Sequence, residues 1–445
     1  VSPEIVTILA LVVIFAIATL LPINMGALAF VAAFVVGTLS VGLSTDDILA
    51  GFPAGLVLTL IGVTYLFAIA QNNGTVDLLV RGAVRMVGGH VAAIPWIMFF
   101  VTALLTAIGA LSPAAVAIIA PIALSFAARH DISPLLMGMM VIHGAQGGGF
   151  SPISVYGVTV NDIVERSDLE GSPLAVFLGA LFFNIAIAVV LFFVLGGRKL
   201  LGRKVGAEPV PHSEHAHGTV VRGHGAAPGP GVGGDDDEHV HPDRPEPVGF
   251  EQVLTLVGLL VLAVLALVFD LDIGFVAITV AVVLALFSAQ KHKGAVTQIS
   301  WSTVLLIAGV LTFVFVLEEA GTIDYVGDAV IGLGAPLLIA LLLAYIGGVV
   351  SAFASSTAII GVAISLAVPF LLAGEIGAVG VVVALSVAST IVDVSPFSTN
   401  GALVLANAHG IDRDRFYKQI LGYAGIVVAV GPLLAWLVFV VPGWL

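Results

Sequence analysis

Apolar residues fill this chain in long, nearly uninterrupted blocks. IVTILALVVIFAIATLL (5–21) and LFFNIAIAVVLFFVLGG (181–197) approach or reach the roughly 20 residues a helix needs to cross a bilayer. In the first half the pattern predicts spans at 4–23, 26–43 and 52–72, a broken span at 133–163, and a span at 173–196. A short amphipathic stretch, TVDLLVRGAVRMV, follows the third span. Segment 91–128 is apolar but interrupted by GALSPAA, which predicts a re-entrant hairpin with its tip at Ser112-Pro113. Proline suits the first turn of the returning helix, where its missing N–H costs nothing. The alternative is two ordinary spans. Each arm would then be short and the turn uncharged, and uncharged irregular backbone at membrane depth belongs beside a cavity. The second half predicts spans at 251–269, 272–289 and 301–319, a hairpin at 335–371 with its tip at Ser355-Ser356-Thr357, a broken span at 377–408 and a last span at 415–441.

The two halves repeat each other. GGGFSPISVYGVTV (148–161) lies over VDVSPFSTNGALVL (392–405), so that Ser151, Pro152, Ser154, Gly157 and Val160 match Ser395, Pro396, Ser398, Gly401 and Val404 at an offset of 244. LSPAAVAIIAPIAL (111–124) aligns with SSTAIIGVAISLAV (355–368) at the same offset. NGTVD (73–77) matches AGTID (320–324) at 247, and Gly26 matches Gly274 at 248. One such match arises by chance; an ordered series at nearly constant offset marks an internal duplication, a feature of many transporters.

Composition agrees with a membrane protein: 59% of the 445 residues are hydrophobic and 10% charged, against ~45–50% and ~25% in soluble domains. Glu4 precedes the first span and no basic residue does, so it reads as a retained span and not a cleaved signal. There is no cysteine, which excludes thiolate chemistry, and a net charge of −13 argues against a nucleic-acid partner. The one long polar stretch, 203–248, is rich in Gly, Pro, His and Asp and reads as a disordered linker. Its six histidines could bind a transition metal weakly; a plain linker is the simpler reading. Domains follow as 1–202, the linker 203–248, and 249–445.

Five spans plus a hairpin is an odd number of crossings, so the second half must be inverted. Charge agrees: the inverted plan puts 14 of the 15 basic residues on one side and leaves only Arg166 on the other, with Asp46, Asp47, Asp162, Asp270, Asp272, Glu318, Glu319 and Glu375. By the positive-inside rule the linker is cytoplasmic and both termini are external. The expected fold is an all-α polytopic membrane protein of two inverted repeats.

The breaks and tips carry the candidate chemistry. A broken helix exposes N–H groups with a positive dipole end, suited to anions, and free carbonyls suited to a small hard cation. Ser112, Ser151, Ser154, Ser356, Thr357, Ser398, Thr399 and Asn400 add hydroxyls and an amide at these points, with Pro113 beside them. Apart from Arg415 and Lys418 at the start of the last span, no Lys or Arg falls inside a predicted span. A carboxylate substrate would therefore be held by helix ends, hydroxyls and amides, with a co-bound cation neutralising charge. Asp393 is the one acid deep in a span, and such acids are functional by default, here as a cation ligand or proton carrier. Its repeat mate is Gly149. His143 and Gln146 precede the first break; the histidine reads first as a satisfied packing residue and second as a substrate or proton group.

At these residues the chain resembles the ion transporter superfamily, whose divalent anion–sodium symporters carry paired Ser-Asn-Thr hairpin tips. GFPAGLVLTLIGVTYLFAIAQNNGTVDLL (51–79) is similar to the amino-terminal region of the MatC malonate carriers. The resemblance implies a carrier of small dicarboxylates (malonate, succinate or malate) in the plasma (inner) membrane. It also implies coupling to Na+, with H+ as the alternative, an elevator mechanism and a homodimer. It places Na+ and substrate at Ser112 with the Gly148, Gly149 and Ser151 break, and at Ser355, Ser356 and Thr357 with Thr390, Asp393, Ser395 and Ser398. Ser112-Pro113-Ala114 and Ser356-Thr357-Ala358 stand where the family has Ser-Asn-Thr. Two other readings remain. A cation/proton antiporter would want several buried acids, and only Asp393 qualifies. A membrane hydrolase would need Ser151 and His143 to meet as nucleophile and base.

Overall fold

The computed structural model describes residues 2–21, 23–85, 90–204, 248–269, 271–322, 325, 335–352, 356–372, 374, 376–408, 412–443 and 445. The linker core at 205–247, with Arg222 and Arg244, lies outside the described residues, as do Asp270, Asp324, Ser355 and Glu375. The described chain is helical. Its first half comprises α1 (Pro3–Leu20), α2 (Met25–Val36), α3 (Thr45–Ala50), α4 (Ala54–Asn72), α5 (Thr75–Arg85), α6 (Ala93–Ala107), α7 (Ser112–Arg129), α8 (Pro134–Gly148), α9 (Val155–Arg166) and α10 (Pro173–Val194). The second half comprises α11 (Phe250–Leu267), α12 (Ile273–Phe287), α13 (Trp301–Glu319), α14 (Pro336–Ser351), α15 (Ser356–Leu372), α16 (Ala378–Ile391), α17 (Thr399–Ala406) and α18 (Arg413–Phe439). Helix ends fall within a few residues of the limits expected from hydropathy, because polar caps and prolines punctuate the apolar runs. Asn24 caps α2 by accepting from Gly26 N (2.9 Å), and Asp272 caps α12 by accepting from Phe275 N (2.8 Å).

Among the described residues six helices, α4, α7, α10, α11, α13 and α18, are long and apolar enough to cross a membrane, and the chain is a multi-pass membrane protein. Large apolar side chains on α10, α11 and α12, such as Phe182, Val190, Leu260, Phe275 and Leu286, face outward, as a lipid environment requires. At 18 residues α7 is about 27 Å long. It could cross unaided, so helix length does not separate the hairpin from two full spans.

Contacts between the halves are reciprocal. Helix α2 packs on α13, and α12 packs on α4. A Cβ on Gly26 would strike the Leu305 carbonyl, and one on Gly309 the Gly26 carbonyl. A Cβ on Gly274 would strike the Thr59 backbone, and one on Gly62 the Gly274 carbonyl at 2.7 Å. Gly26 and Gly274 are 248 apart and Gly62 and Gly309 are 247 apart, so each contact recurs with its partners exchanged. The same exchange joins α7 to α17 and α15 to α9. Helices α7 and α15 begin at Ser112 and Ser356, and α9 and α17 follow the interruptions after α8 and α16.

Candidate functional site

The two breaks have the same local structure. After α8, Ser151 N donates to Gly148 O (3.1 Å) and Ser154 N to Ser151 O (2.8 Å). The Ser154 hydroxyl donates among the carbonyls of Gly149 and Ser151 and accepts from Gly157 N (3.4 Å), so it caps α9. After α16, Asp393 N donates to Thr390 O (3.0 Å) and Ser398 N to Ser395 O (3.1 Å), while the Ser398 hydroxyl donates to Ser395 O (2.8 Å). A Cβ on Gly157 would overlap the Ser151 carbonyl, and one on Gly401 the Ser395 carbonyl. Only glycine lets the new helix start so close beneath the turn, which is why both copies keep it.

Above these turns, one residue in each copy reaches across to the other half. Asn400 Nδ2 donates to Asp393 Oδ2 (2.9 Å) and to Ser112 Oγ (2.8 Å), and Asn400 N donates to Asp393 Oδ1 (3.3 Å). The turn after α16 is thereby tied to the start of α7. Tyr156 stands 244 residues before Asn400, and its hydroxyl lies near those of Ser112 and Thr357. Ser112 (3% exposed), Asp393 (6%) and Asn400 (0%) are buried, as are Tyr156, Ser356 and Thr357. At the α8–α16 crossing, Gln146 Nε2 donates to Thr390 O (2.9 Å) across the same offset of 244. Among the described residues Asn400 Oδ1 and Gln146 Oε1 are buried acceptors without a hydrogen-bond partner, and such groups cost free energy unless a ligand or water satisfies them.

Asp393 carries the cluster's charge. The sequence has no Lys or Arg between Arg129 and Arg166 or between Lys293 and Arg413. What lies around the carboxylate instead is a set of donors and helix N-termini. The first turns of α7, α9, α15 and α17 meet here, carrying Ser112, Tyr156, Thr357 and Asn400 respectively.

The expected site residues divide by what their polar atoms do. Ser112, Thr357, Asp393 and Asn400 are brought together. Ser356 lies beside them, its hydroxyl 3.0 Å from that of Ser351, which also donates to Ser389 O (2.5 Å). No hydrogen bond engages the Ser151 hydroxyl among the described residues. Ser154 and Ser398 close their own turns, and Ser395 Oγ donates to Ala352 O (3.1 Å) while accepting from Phe397 N (3.2 Å). The Thr390 hydroxyl bonds back to Ser386 O (3.0 Å) in its own helix. Gly148 packs against Ala103 and Thr106 of α6, and the carbonyls of Gly148 and Gly149 serve the turn. Pro113 is half-buried in the first turn of α7, and Thr399 is exposed, outside the cluster. Ser355 lies outside the described residues. Tyr156 was not among the expected residues, although its register with Asn400 could have singled it out.

His143 takes the packing role. Its Nδ1 is 2.8 Å from Asn184 Oδ1 and its Nε2 is 2.6 Å from the Tyr423 hydroxyl. Asn184 Nδ2 is committed to Ala180 O (2.9 Å), which leaves Oδ1 as the acceptor and puts the proton on Nδ1. Neither ring nitrogen is hydrogen-bonded to Ser151.

No curated protein matches the chain. Residues 1–149, about a third of it, match the family described as "Dicarboxylate carrier protein MatC N-terminus". That is a family of carriers and not of enzymes. Its amino-terminal domain takes in α1 through α8 and stops at the edge of the first break. Over residues 1–149 the chain is similar to the amino-terminal domain of the MatC dicarboxylate carriers.

Proposed function

We propose that this chain is a secondary active transporter of small dicarboxylates, of the malonate, succinate and malate class, driven by a co-transported cation. The observation that carries the reading is the Asn400 bridge from Asp393 to Ser112, which joins the break of one half to the tip of the other. Charge arithmetic supports a coupled cation. A dianion brings −2 and Asp393 −1. Each helix N-terminus contributes roughly +0.5, and four of them about +2. One negative charge remains, which one monovalent cation beside Asp393 and Asn400 Oδ1 would offset. Sodium fits the hard oxygen donors, and a proton on Asp393 would balance the charge equally well.

In this reading the two halves are inverted repeats, each of five spans and a re-entrant hairpin, on either side of a cytoplasmic linker. The reciprocal helix contacts and the basic-residue asymmetry support it. The four helices that start at the site (α7, α9, α15 and α17) would move as one body against α2, α4, α12 and α13, carrying the diacid across in an elevator motion, in a homodimer as the resemblance implies. Radiolabelled malonate and succinate uptake into proteoliposomes, with imposed sodium or proton gradients, tests this. Saturable uptake accelerated by one gradient is expected. Cation exchange without any diacid uptake would instead favour an antiporter.

A further inference from the structure

A second polar site lies at the far end of α10, away from the central cluster. Phe193 and Val194 are 46% and 73% exposed, so the last turn of this apolar helix faces lipid. Arg198 then lies over the Phe193 ring, its guanidinium carbon 5.2 Å from the centroid, which sets this segment at the level of the lipid headgroups. The chain turns at Gly196 (φ 93°) and folds back until Val91 N donates to Arg203 O (3.1 Å).

This return encloses a pocket of about 260 Å³ against the start of α8. Leu136, Leu195 and Leu200 form its apolar walls, and Ser133, the cap of α8, opens into it. Lys199 and Arg203 supply positive charge. Arg203 Nη2 is anchored on His130 O at 3.0 Å, which fixes the guanidinium at the rim. Neither cation has a carboxylate within ion-pair distance among the described residues, although Asp131 also lines the pocket.

We propose that this pocket binds the headgroup of an anionic phospholipid. Lys199 and Arg203 hold the phosphate diester, the leucine walls meet the start of the acyl chains, and Asp131 accepts from hydroxyls of a glycerol headgroup. Basic pockets between membrane helices recognise lipids by this combination of charge and apolar wall. The lipid-facing end of α10 makes a membrane lipid, and not a soluble phosphate, the natural occupant. Bound there, it would brace the start of α8, which carries the first break, against α10.

The test is native mass spectrometry and thermal unfolding of the full chain in neutral detergent, with added phosphatidylglycerol, phosphatidylcholine or inorganic phosphate. Phosphatidylglycerol should be retained and stabilising, and the other two should not. Lys199→Gln, which removes no internal hydrogen bond, should weaken retention about 5-fold, and Lys199→Gln with Arg203→Gln about 30-fold, at roughly one such step per basic residue. An Arg415→Gln/Lys418→Gln control, with the same charge change on α18, should retain the lipid. Equal loss in the control, unchanged retention in the pocket variants, or an equal effect of inorganic phosphate would overturn the assignment.

Discussion

Truncating Asn400 to alanine removes two hydrogen bonds at once, to Asp393 Oδ2 (2.9 Å) and to Ser112 Oγ (2.8 Å), and spares the backbone bond to Asp393 Oδ1. A hydrogen bond to a carboxylate is worth about 1.5–3 kcal/mol and one to a hydroxyl about 0.5–1.5 kcal/mol. Together they set a ceiling of roughly 2–4.5 kcal/mol, divided between stability and ligand binding. If half of the lower figure falls on binding, the diacid's apparent affinity drops about 5-fold; if all of it does, about 30-fold. Asn400→Asp asks the same question without opening a cavity. Two carboxylates about 2.9 Å apart repel by roughly 6 kcal/mol at an effective dielectric of ~20, so a proton or a second cation must enter between them. Uptake by Asn400→Asp should therefore become steeply dependent on pH or cation concentration, while Asn400→Ala should lose affinity at every pH. Proteoliposome uptake at limiting and saturating cation, with thermal unfolding to confirm an intact fold, separates these effects. Wild-type affinity and cation dependence in both variants would refute the reasoning, because the bridge would then be structural ornament.

Asp393→Asn should uncouple uptake from the driving gradient more than it weakens diacid binding; unchanged coupling would return Asp393 to a structural role. Tyr156→Phe removes the hydroxyl beside Ser112 and Thr357, and Thr357→Ala removes the one facing it; each should cut diacid affinity about 3- to 10-fold, measured by binding to purified protein, about the worth of one neutral hydrogen bond. Gly157→Ala and Gly401→Ala should each destabilise by about 1–3 kcal/mol, since the new Cβ meets a turn carbonyl. Unfolding at the wild-type temperature would show that the turns tolerate a side chain.

Helix positions were legible because apolar runs are bounded by Asn24, Asp272 and Ser-Pro steps whose physics is local. The duplicated turns were legible too, since Ser151, Ser154 and Gly157 recur in register as Ser395, Ser398 and Gly401. An offset reveals equivalent residues but not which residues touch. Ser112 and Asn400, 288 positions apart, belong to no common register, and only packing brings them together. Hydroxyl direction was equally hidden. Thr390 and Ser154 look like ligands in the sequence, yet local carbonyls take their protons, as happens to Ser and Thr in helices and turns, and Ser395 gives its proton to the distant Ala352 carbonyl. Thr399 and Asn400 are adjacent but point about 100° apart on the helix, so one is exposed and the other buried.

The claim that both halves build one site is tested most directly by a double-mutant cycle on Ser112→Ala and Asn400→Ala, read as diacid binding to the purified protein. The two positions share a 2.8 Å hydrogen bond, so the losses should be non-additive by about 1 kcal/mol or more. Strictly additive losses, or diacid binding indifferent to both substitutions, would contradict the account.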